Sequence, residues 1–512
     1  MRRPIAALAC LAVTGSAFAQ ATPPQNTPTT QDTTTTRPAP LPPAPPPPSQ
    51  SIPAHPRMQV QSERPGPIAN GPLPLPTGTP MTIDFNADPI LRLRREQSAF
   101  EPFRAMIAAA VERHPGTAEA AAGEDEARAG LEEARQARLP TIDLSVTSYR
   151  VLSRDFSDDP FNIIERSRPL QRTDALLSAQ QTVFDFGATS QRVSAAGARL
   201  RAAAAELEAS ADRIALNAVA AWYDLFAYRA LVALTEAFVA NQRELETAVQ
   251  VRIDEGVSAE GDLARVQSYI AQADTRLSRF RRQLAIAEAR YAELTGAPAP
   301  ARLERAPLPG PPVANRDDAA SAAADSAVVR GAVAQADAAL RESRAARAER
   351  LPNLTAGVDA GRYGVIENDR DYDIRGRVAL RYRIFGGADA RAEQYEARAR
   401  GADARATRIR VEAERDAAIA WSDVRALEQQ LDALEASYIA SRRSRDVIVE
   451  RFRVARGTLF DVVATEDAYF ESATAYIQAL SELDAARYVL TSRMGRLLDL
   501  LRIDPDRIRG EG

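Results

Sequence analysis

The sequence has 512 residues and a formal net charge of −4, and 26% of its residues are charged while 45% are hydrophobic. This hydrophobic content can fill a core, and the absence of a long basic run excludes nucleic acid as the main partner. All 65 basic residues are arginine, which excludes Schiff-base and phosphate-loop lysine chemistry. One cysteine and two histidines exclude disulfide frameworks and His-rich metal sites, so we expect no metal and no other cofactor.

Residues 1–19 have the pattern of a signal peptide. Two arginines are followed by an apolar stretch and by Ala-Phe-Ala, a small-x-small sequence typical of a cleavage site. The pattern predicts export from the cytoplasm and loss of Cys10 with the signal. Two less favoured interpretations are a buried N-terminal helix and a lipoprotein anchored through Cys10.

Residues 20–99 are predicted to be a Pro/Thr-rich disordered tail with a lead-in to the folded part. Between positions 21 and 80 lie 19 of the 34 prolines, with few large apolar residues. Proline donates no backbone hydrogen bond, and a segment with little apolar surface cannot offset the entropy of folding. We expect a passive spacer.

From about residue 100 the chain contains two copies of one unit. Arg-Leu-Pro at 138–140 recurs at 350–352, and Ala-Trp at 221–222 recurs at 420–421, so the spacing changes from 212 to 199. The second copy is therefore shorter between these landmarks, where strands and loops are expected. The predicted divisions are a first repeat at 100–296, a Pro-rich joint at 297–318, a second repeat at 319–500 and a C-terminal tail at 501–512.

Each repeat has the same predicted order of elements: a leading helix that stops at Leu-Pro, two strands, a very long helix and a return helix. The predicted helices are 101–138, 188–255 and 262–295 in the first repeat and 319–350, 388–454 and 461–500 in the second. The long helices would each extend about 100 Å at about 1.5 Å per residue. Because the two shorter helices together match this length, we expect them to stack end to end beside it. The seam Val424, Leu427, Leu431, Leu434 and Tyr438 has coiled-coil spacing.

The segment 372–384 alternates apolar and polar residues with a period of two over thirteen positions. This length, with tyrosine toward both ends of the apolar face, is typical of a tilted strand that crosses a bilayer. A long strand of a soluble sheet is the alternative. On the membrane interpretation the polar face lines the barrel lumen and carries Arg375, Arg377, Arg381 and Arg383.

Four such strands cannot close a membrane barrel, since the smallest have eight. An open edge cannot face lipid, because its unpaired N–H and C=O groups would each cost several kcal/mol. The chain must therefore complete its barrel with other copies, and three copies would give twelve strands.

The order of elements, with Leu-Pro before the strands and Phe-x-x-Gly after them, resembles the TolC family of outer-membrane factors over residues 100–500. The tips between long and return helices carry the most specific similarity, at 255–263 and 453–462. Ser258 and Ala455 depart from the family's leucine and glycine at these positions.

The resemblance implies a homotrimer in the cell outer membrane: a twelve-stranded barrel in lipid above a helical tunnel in the periplasm. Its tips would contact a periplasmic adaptor protein joined to an inner-membrane pump, of the ABC or the proton-driven class. The implied adaptor-contact residues are Gly256, Val257, Ser258, Asp262, Arg456, Gly457, Thr458 and Leu459.

The family constricts the tunnel entrance with acidic residues just past the second tip, and Asp461 matches one such position. The next family acid is replaced here by Ala464, and Glu466 and Asp467 are candidate substitutes. Three symmetry-related carboxylates around a narrow pore would attract cations. The alternative role for Asp461 is to cap the return helix.

The sequence thus predicts a passive export duct that serves efflux or type I protein secretion, with no enzymatic activity, since no GxSxG, phosphate-loop or HExxH motif occurs. The run Phe-Gly-Gly-Ala-Asp-Ala-Arg at 385–391 resembles members that serve type I secretion. A periplasmic coiled-coil scaffold or adaptor without a channel is the alternative.

Overall fold

The computed structural model describes residues 87–154, 163, 168–309, 313–367, 371–454 and 456–504. The predicted signal peptide, almost all of the Pro/Thr-rich tail and residues 505–512 lie outside this described part. None of its helices combines the length and the apolar character required to cross a membrane.

The described elements follow the predicted order twice. The helices of the first half are α1 (Pro89–Arg92), α2 (Phe100–Arg113), α3 (Pro115–Gln136), α4 (Ala188–Asp254) and α5 (Glu260–Thr295). Those of the second half are α6 (Arg316–Ala323), α7 (Ala327–Ala348), α8 (Ala388–Arg453), α9 (Leu459–Arg493) and α10 (Leu497–Leu501). The strands are β1 (Thr141–Arg150), β2 (Gln171–Phe184), β3 (Asn353–Tyr363) and β4 (Asp371–Arg381).

The two long helices agree with the prediction to within a residue at each end, with 67 residues in α4 and 66 in α8. Both are rich in Ala, Arg and Glu and contain no proline, so nothing interrupts the backbone hydrogen bonds. Each begins after a glycine in the left-handed conformation, Gly187 with φ 87° and Gly387 with φ 75°. A residue with a Cβ would be strained there, which explains the glycine at the turn from strand to helix.

The leading helices differ from the prediction, because each is divided into two. The break in the first repeat is at His114, whose backbone is extended and whose Nδ1 accepts a hydrogen bond from Gly116 N at 3.0 Å. Pro115 disfavours helical backbone at the preceding residue, which explains the break. In the second repeat α6 ends at Ala323 and α7 begins at Ala327, after Ser326 in extended conformation.

Shorter helices lie end to end beside each long one, as predicted. Ser210 Oγ of α4 donates to Gly116 O at the start of α3 at 3.2 Å. Farther along α4, Glu236 forms an ion pair with Arg281 of α5 at 2.8 Å. In the second repeat, Glu396 of α8 pairs with Arg347 of α7 at 2.7 Å, and Glu428 with Arg487 of α9 at 2.9 Å. The long helices therefore connect the strands to the tips, while α5 and α9 cover only the halves near the tips.

The strands form one antiparallel sheet in the order β1-β2-β3-β4. Leu144 pairs with Leu177, Ser178 with Asp359, and Gly357 with Arg377. The strand predicted at 372–384 ends earlier, at Arg381. Tyr382, Arg383 and Ile384 belong to the approach to the Gly386–Gly387 turn, where both glycines have positive φ.

The Pro-rich joint and the lead-in are both built into the core. Arg305 of the joint is buried and donates to Asp484 of α9, with Nη2 2.7 Å from Oδ1. Arg305 O accepts a hydrogen bond from Ser98 N at 2.8 Å. The indole of Trp222 donates to Glu304 O at 3.0 Å. These contacts hold the lead-in, the joint, α4 and α9 together where the two repeats meet.

Candidate functional site

One face of the sheet is apolar and exposed. Because directly paired residues of an antiparallel sheet share a face, the register separates two sets of side chains. The apolar set includes Ile142, Leu144 and Val146 of β1, Leu177 of β2, Val358 of β3, and Tyr372, Ile374, Val378 and Leu380 of β4. Leu144 is 71% exposed and Val378 is 74% exposed. No other element of the described chain covers this face.

The opposite face is polar and charged. It carries Arg375, Arg377 and Arg381 of β4, which the sequence places together. Arg375 forms an ion pair with Asp373, and a guanidinium nitrogen of Arg377 lies 3.8 Å from Asp359 of β3. Arg381 is paired across the ladder with Asn353. Arg383 lies beyond the end of β4, so the structure does not place it on the polar face of the sheet with the other three arginines.

Acidic residues on this polar face were not among the predicted site residues. Asp359 and Asp174 lie on strands whose glycine content or weak alternation made them less distinctive than β4. Asp174 pairs with Arg172 at 2.6 Å, and Arg172 lies over the ring of Tyr363. The alternation of Asp359 with apolar neighbours in β3 is the signal that could have identified it.

The first tip is the turn between α4 and α5. Gly256 has φ 77°, and Val257 N and Ser258 N both donate to Arg252 O, at 2.8 and 3.1 Å. The left-handed glycine thus ends α4 in the manner that only glycine permits without strain. Val257 is 57% exposed. Asp262 lies in the first turn of α5, where its charge is favourable to the helix dipole.

The second tip is the turn between α8 and α9. Thr458, not Asp461, is the N-cap of α9: Asp461 N donates to Thr458 Oγ1 at 3.2 Å, and Thr458 Oγ1 donates to Asp461 Oδ2 at 2.7 Å. Arg456 N donates to Arg451 O at 2.9 Å. A Cβ on Gly457 would lie 3.3 Å from Phe452 N, so this position favours glycine. Asp461 supports the cap from the third helical position and remains exposed.

The two tips share an apolar core of Val249, Val266, Phe452, Leu459, Val462 and Val463. Leu459, predicted to contact an adaptor, is buried in this core at 7% exposure. Phe460, which the sequence analysis did not select, is 63% exposed beside it. The spacing of Leu459, Val462, Val463 and Glu466 places these side chains on one buried face of α9, and this spacing could have predicted an outward Phe460.

The three predicted constriction acids do not lie on one surface. Asp461 is exposed, whereas Asp467 forms an ion pair with Arg276 of α5 at 3.1 Å. Glu466 is 6% exposed. Burial raises the pKa of Glu466 from 4.5 to about 7, while the nearby Arg445 acts in the opposite direction. The structure therefore separates Asp461 from Glu466 and Asp467.

A buried polar cluster connects the lead-in to α8. Asp88 is 1% exposed and accepts hydrogen bonds from Ile90 N and Leu91 N, which makes it the N-cap of α1. It also accepts a hydrogen bond from Tyr438 at 2.9 Å and forms an ion pair with Arg442. The sequence analysis did not identify this cluster, because its members are separated by some 350 positions.

Comparison with known proteins finds a family similarity in the first repeat. Residues 106–297 match the model of the outer membrane efflux protein family. The match confirms the outer membrane as the location and agrees with the prediction of a transport protein rather than an enzyme. No curated protein sequence matches the chain.

Solved structures share the fold over most of the chain. The outer membrane protein VceC of Vibrio cholerae is 18% identical, with a TM-score of 0.69 over 77% of this chain and 96% of its own. The CmeC outer membrane channel of Campylobacter jejuni is 14% identical, with a TM-score of 0.67 over 78% of this chain and 86% of its own. The MtrE outer membrane channel of Neisseria gonorrhoeae, crystallised in an open state, is 17% identical, with a TM-score of 0.65 over 77% and 89%. The two repeats together thus have the fold of these proteins, in agreement with the predicted fold class.

Proposed function

We propose that this chain is one subunit of a trimeric duct that carries a substrate from an inner-membrane pump and a periplasmic adaptor across the periplasm and the outer membrane. The observation that carries the proposal is the four-stranded sheet, with one apolar exposed face and one charged face. A soluble sheet would bury its apolar face against other elements. A barrel wall instead directs its apolar side chains to lipid and its charged side chains to water.

The edges of the sheet support assembly of several chains. β1 and β4 each pair on one side only in the described sheet, so each has a row of unpaired backbone groups. In hydrocarbon each unpaired N–H or C=O costs several kcal/mol, and closure of the sheet removes this cost. Closure by three chains gives twelve strands and joins β4 of one chain to β1 of the next.

The tips support the remaining part of the proposal. Val257 and Phe460 are exposed apolar residues at the end of the helices far from the sheet, and Arg456 and Thr458 are exposed beside them. A surface with both apolar and charged groups suits a protein partner. The adaptor therefore contacts this end, and the duct itself catalyses no reaction, since transport is driven by the pump. A scaffold without a channel would leave the apolar face of the sheet unexplained.

The experiment is to purify the full chain in detergent and to measure its mass with bound detergent subtracted. We expect three chains per particle, with a shift in electrophoretic migration on heating that is typical of a membrane barrel. Reconstitution into planar bilayers should then give discrete conductance steps. A stable monomer with full β-content and no conductance would contradict the proposal.

A further inference from the structure

In each repeat the long helix and the return helix form a helical hairpin, α4 with α5 and α8 with α9. A small cavity lies where these two hairpins meet, close to the tips. Its volume is about 200 Å³. The lining includes Gln242 and Leu245 from α4, Val449 and Phe452 from α8, and Val462 and Glu466 from α9. Its walls thus belong to both repeats, and a relative movement of the two hairpins would open it.

Two hydrogen-bond acceptors in this cavity have no donor. Gln242 is 1% exposed and Glu466 is 6% exposed. Gln242 Oε1 and Glu466 Oε2 accept no hydrogen bond from any part of the chain that the structure describes. A buried acceptor without a donor is costly, and a buried carboxylate is more costly than an amide. A protonated carboxyl group is itself a hydrogen-bond donor. A single proton on Glu466 would therefore neutralise its charge and supply a donor inside the cavity.

The charged groups around Glu466 come from every element packed near it. Glu244 of α4 and Arg453 of α8 line the same cavity. Arg445 and Asp446 of α8 and the adjacent Asp467 act on Glu466 electrostatically. Arg445 Nε donates to Asp446 at 2.9 Å, and the Arg445 guanidinium lies 4.2 Å from the centre of the Tyr469 ring.

Two other acids near this site have ion-pair partners in the described residues. Asp467 pairs with Arg276, and Asp88 pairs with Arg442 on the far side of the cluster. Arg445, the cation that lowers the pKa of Glu466, is also hydrogen-bonded to Asp446 and so is not available to Glu466 alone. Glu466 Oε2 and Asp446 Oδ2 both lack a hydrogen-bond donor in the described residues, and of these two acids only Glu466 lines the cavity.

We propose that Glu466 is a proton-binding site that couples the contact between the two hairpins to pH. With the hairpins packed, the carboxyl group holds a proton and donates a hydrogen bond inside the cavity. With the hairpins apart, water reaches the carboxyl group and the proton is released. This site belongs to a single chain, so it does not depend on the proposed duct.

The direction of the pH effect follows from the two states. Burial places the pKa of Glu466 near 7 in the packed state, against an ordinary value of 4.5 when hydrated. The packed state therefore binds a proton that the separated state releases between these values. Packing is strongest below the lower value and weakens as the pH rises to the upper one, by up to about tenfold in the equilibrium constant per pH unit.

The test uses spin labels on the full chain in detergent. The only cysteine of the sequence is Cys10, which is predicted to be lost with the signal peptide, so labels can be placed selectively with Val251→Cys on α4 and Val454→Cys after α8. Both valines are more than half exposed. Distance distributions between the labels should lengthen as the pH is raised from 4.5 to about 7 and should change little above that. In Glu466→Gln, which keeps a neutral donor at this position, the short distances should persist at every pH.

Asp467→Asn is the matched control, because Asp467 is adjacent in sequence but half-exposed and paired with Arg276. We expect it to retain a pH response with a slightly lower midpoint, because Asp467 is the smallest of the charges that act on Glu466. Infrared spectra of the unlabelled wild type, after subtraction of those of Glu466→Gln, should show a carboxylic-acid carbonyl band at pH 5 that is lost as the pH rises through 7. A wild type without that band at pH 5, or an unchanged pH response in Glu466→Gln, would overturn the proposal.

Discussion

Arg252 of α4 holds Phe452 of α8 in two ways at once. Its Nη1 donates to the backbone carbonyl of Phe452 at 3.1 Å, and its guanidinium carbon lies 4.5 Å from the centre of the Phe452 ring. A single side chain thus joins the last turns of the two long helices, one from each repeat. Since Phe452 is also a member of the apolar tip core, the contact fixes the two tips against each other.

Arg252→Met should loosen the tips without unfolding the chain. A hydrogen bond from a charged donor contributes about 1.5–3 kcal/mol to stability and a cation–π contact about 0.5–2 kcal/mol. The two contributions are not additive here, because the same guanidinium makes both contacts. We expect amide hydrogen exchange in 249–254 and 449–454 to become about tenfold faster or more. The exposed Arg451, which matches Arg252 in the repeat, provides the control Arg451→Met. Equal acceleration in both variants would contradict a specific role for Arg252.

Asp88→Ala should destabilise the packing of the lead-in on α8. Removing Asp88 leaves the buried Arg442 with only the more distant Asp446, 3.9 Å away, and the start of α1 without its cap. Loss of one member of a buried pair typically costs about 3–5 kcal/mol. Thermal unfolding followed by circular dichroism should show a lower melting temperature, and the loss should be smaller in Asp88→Asn, which can still cap α1.

Deletion of residues 21–80, with the signal retained, should leave the melting temperature and the assembly unchanged. This segment has too few apolar residues to pack, and Asp88, which contacts α8, lies outside it. Particle mass in detergent is the measurement, and the intact chain is the reference. Loss of assembly on this deletion would mean that the tail has a structural role.

Val378→Arg should impair insertion into the outer membrane far more than Arg377→Val. Val378 is on the apolar face and Arg377 on the charged face, so only the first change directs a charge toward lipid. An outward arginine near the middle of a bilayer costs about 2–4 kcal/mol. The fraction of heat-modifiable protein in outer-membrane extracts measures the difference. Equal effects of the two substitutions would contradict the assignment of the faces.

Asp461→Asn should weaken the cation selectivity of the reconstituted duct and its block by multivalent cations. The carboxylate is exposed near the tip, and three copies around a narrow entrance would attract cations. An asparagine can still accept the hydrogen bond from Thr458, so helical content and assembly should not change. Reversal potentials in planar bilayers provide the measurement. Unchanged selectivity would limit Asp461 to its role in the tip turn.

The sequence by itself determined the elements, because each depends on residues that are close along the chain. The absence of proline predicted both long helices to within a residue, and alternation predicted which β4 residues share a face. Gly187, Gly256 and Gly387 marked turns that require positive φ. The repeat then implied that the second half has the same order as the first.

The tertiary structure alone decided which of these residues are available at a surface and which charges are neutralised. Leu459 and Glu466 lie in the same first turns of α9 as Phe460 and Asp461, yet packing between the hairpins buries the first two and leaves the others exposed. Arg377 meets Asp359 only through the register of two strands, and Arg442 meets Asp88 only through the folded lead-in. Burial and ion pairing depend on contacts between distant segments, and a periodic pattern specifies the face of an element but not what that face will meet.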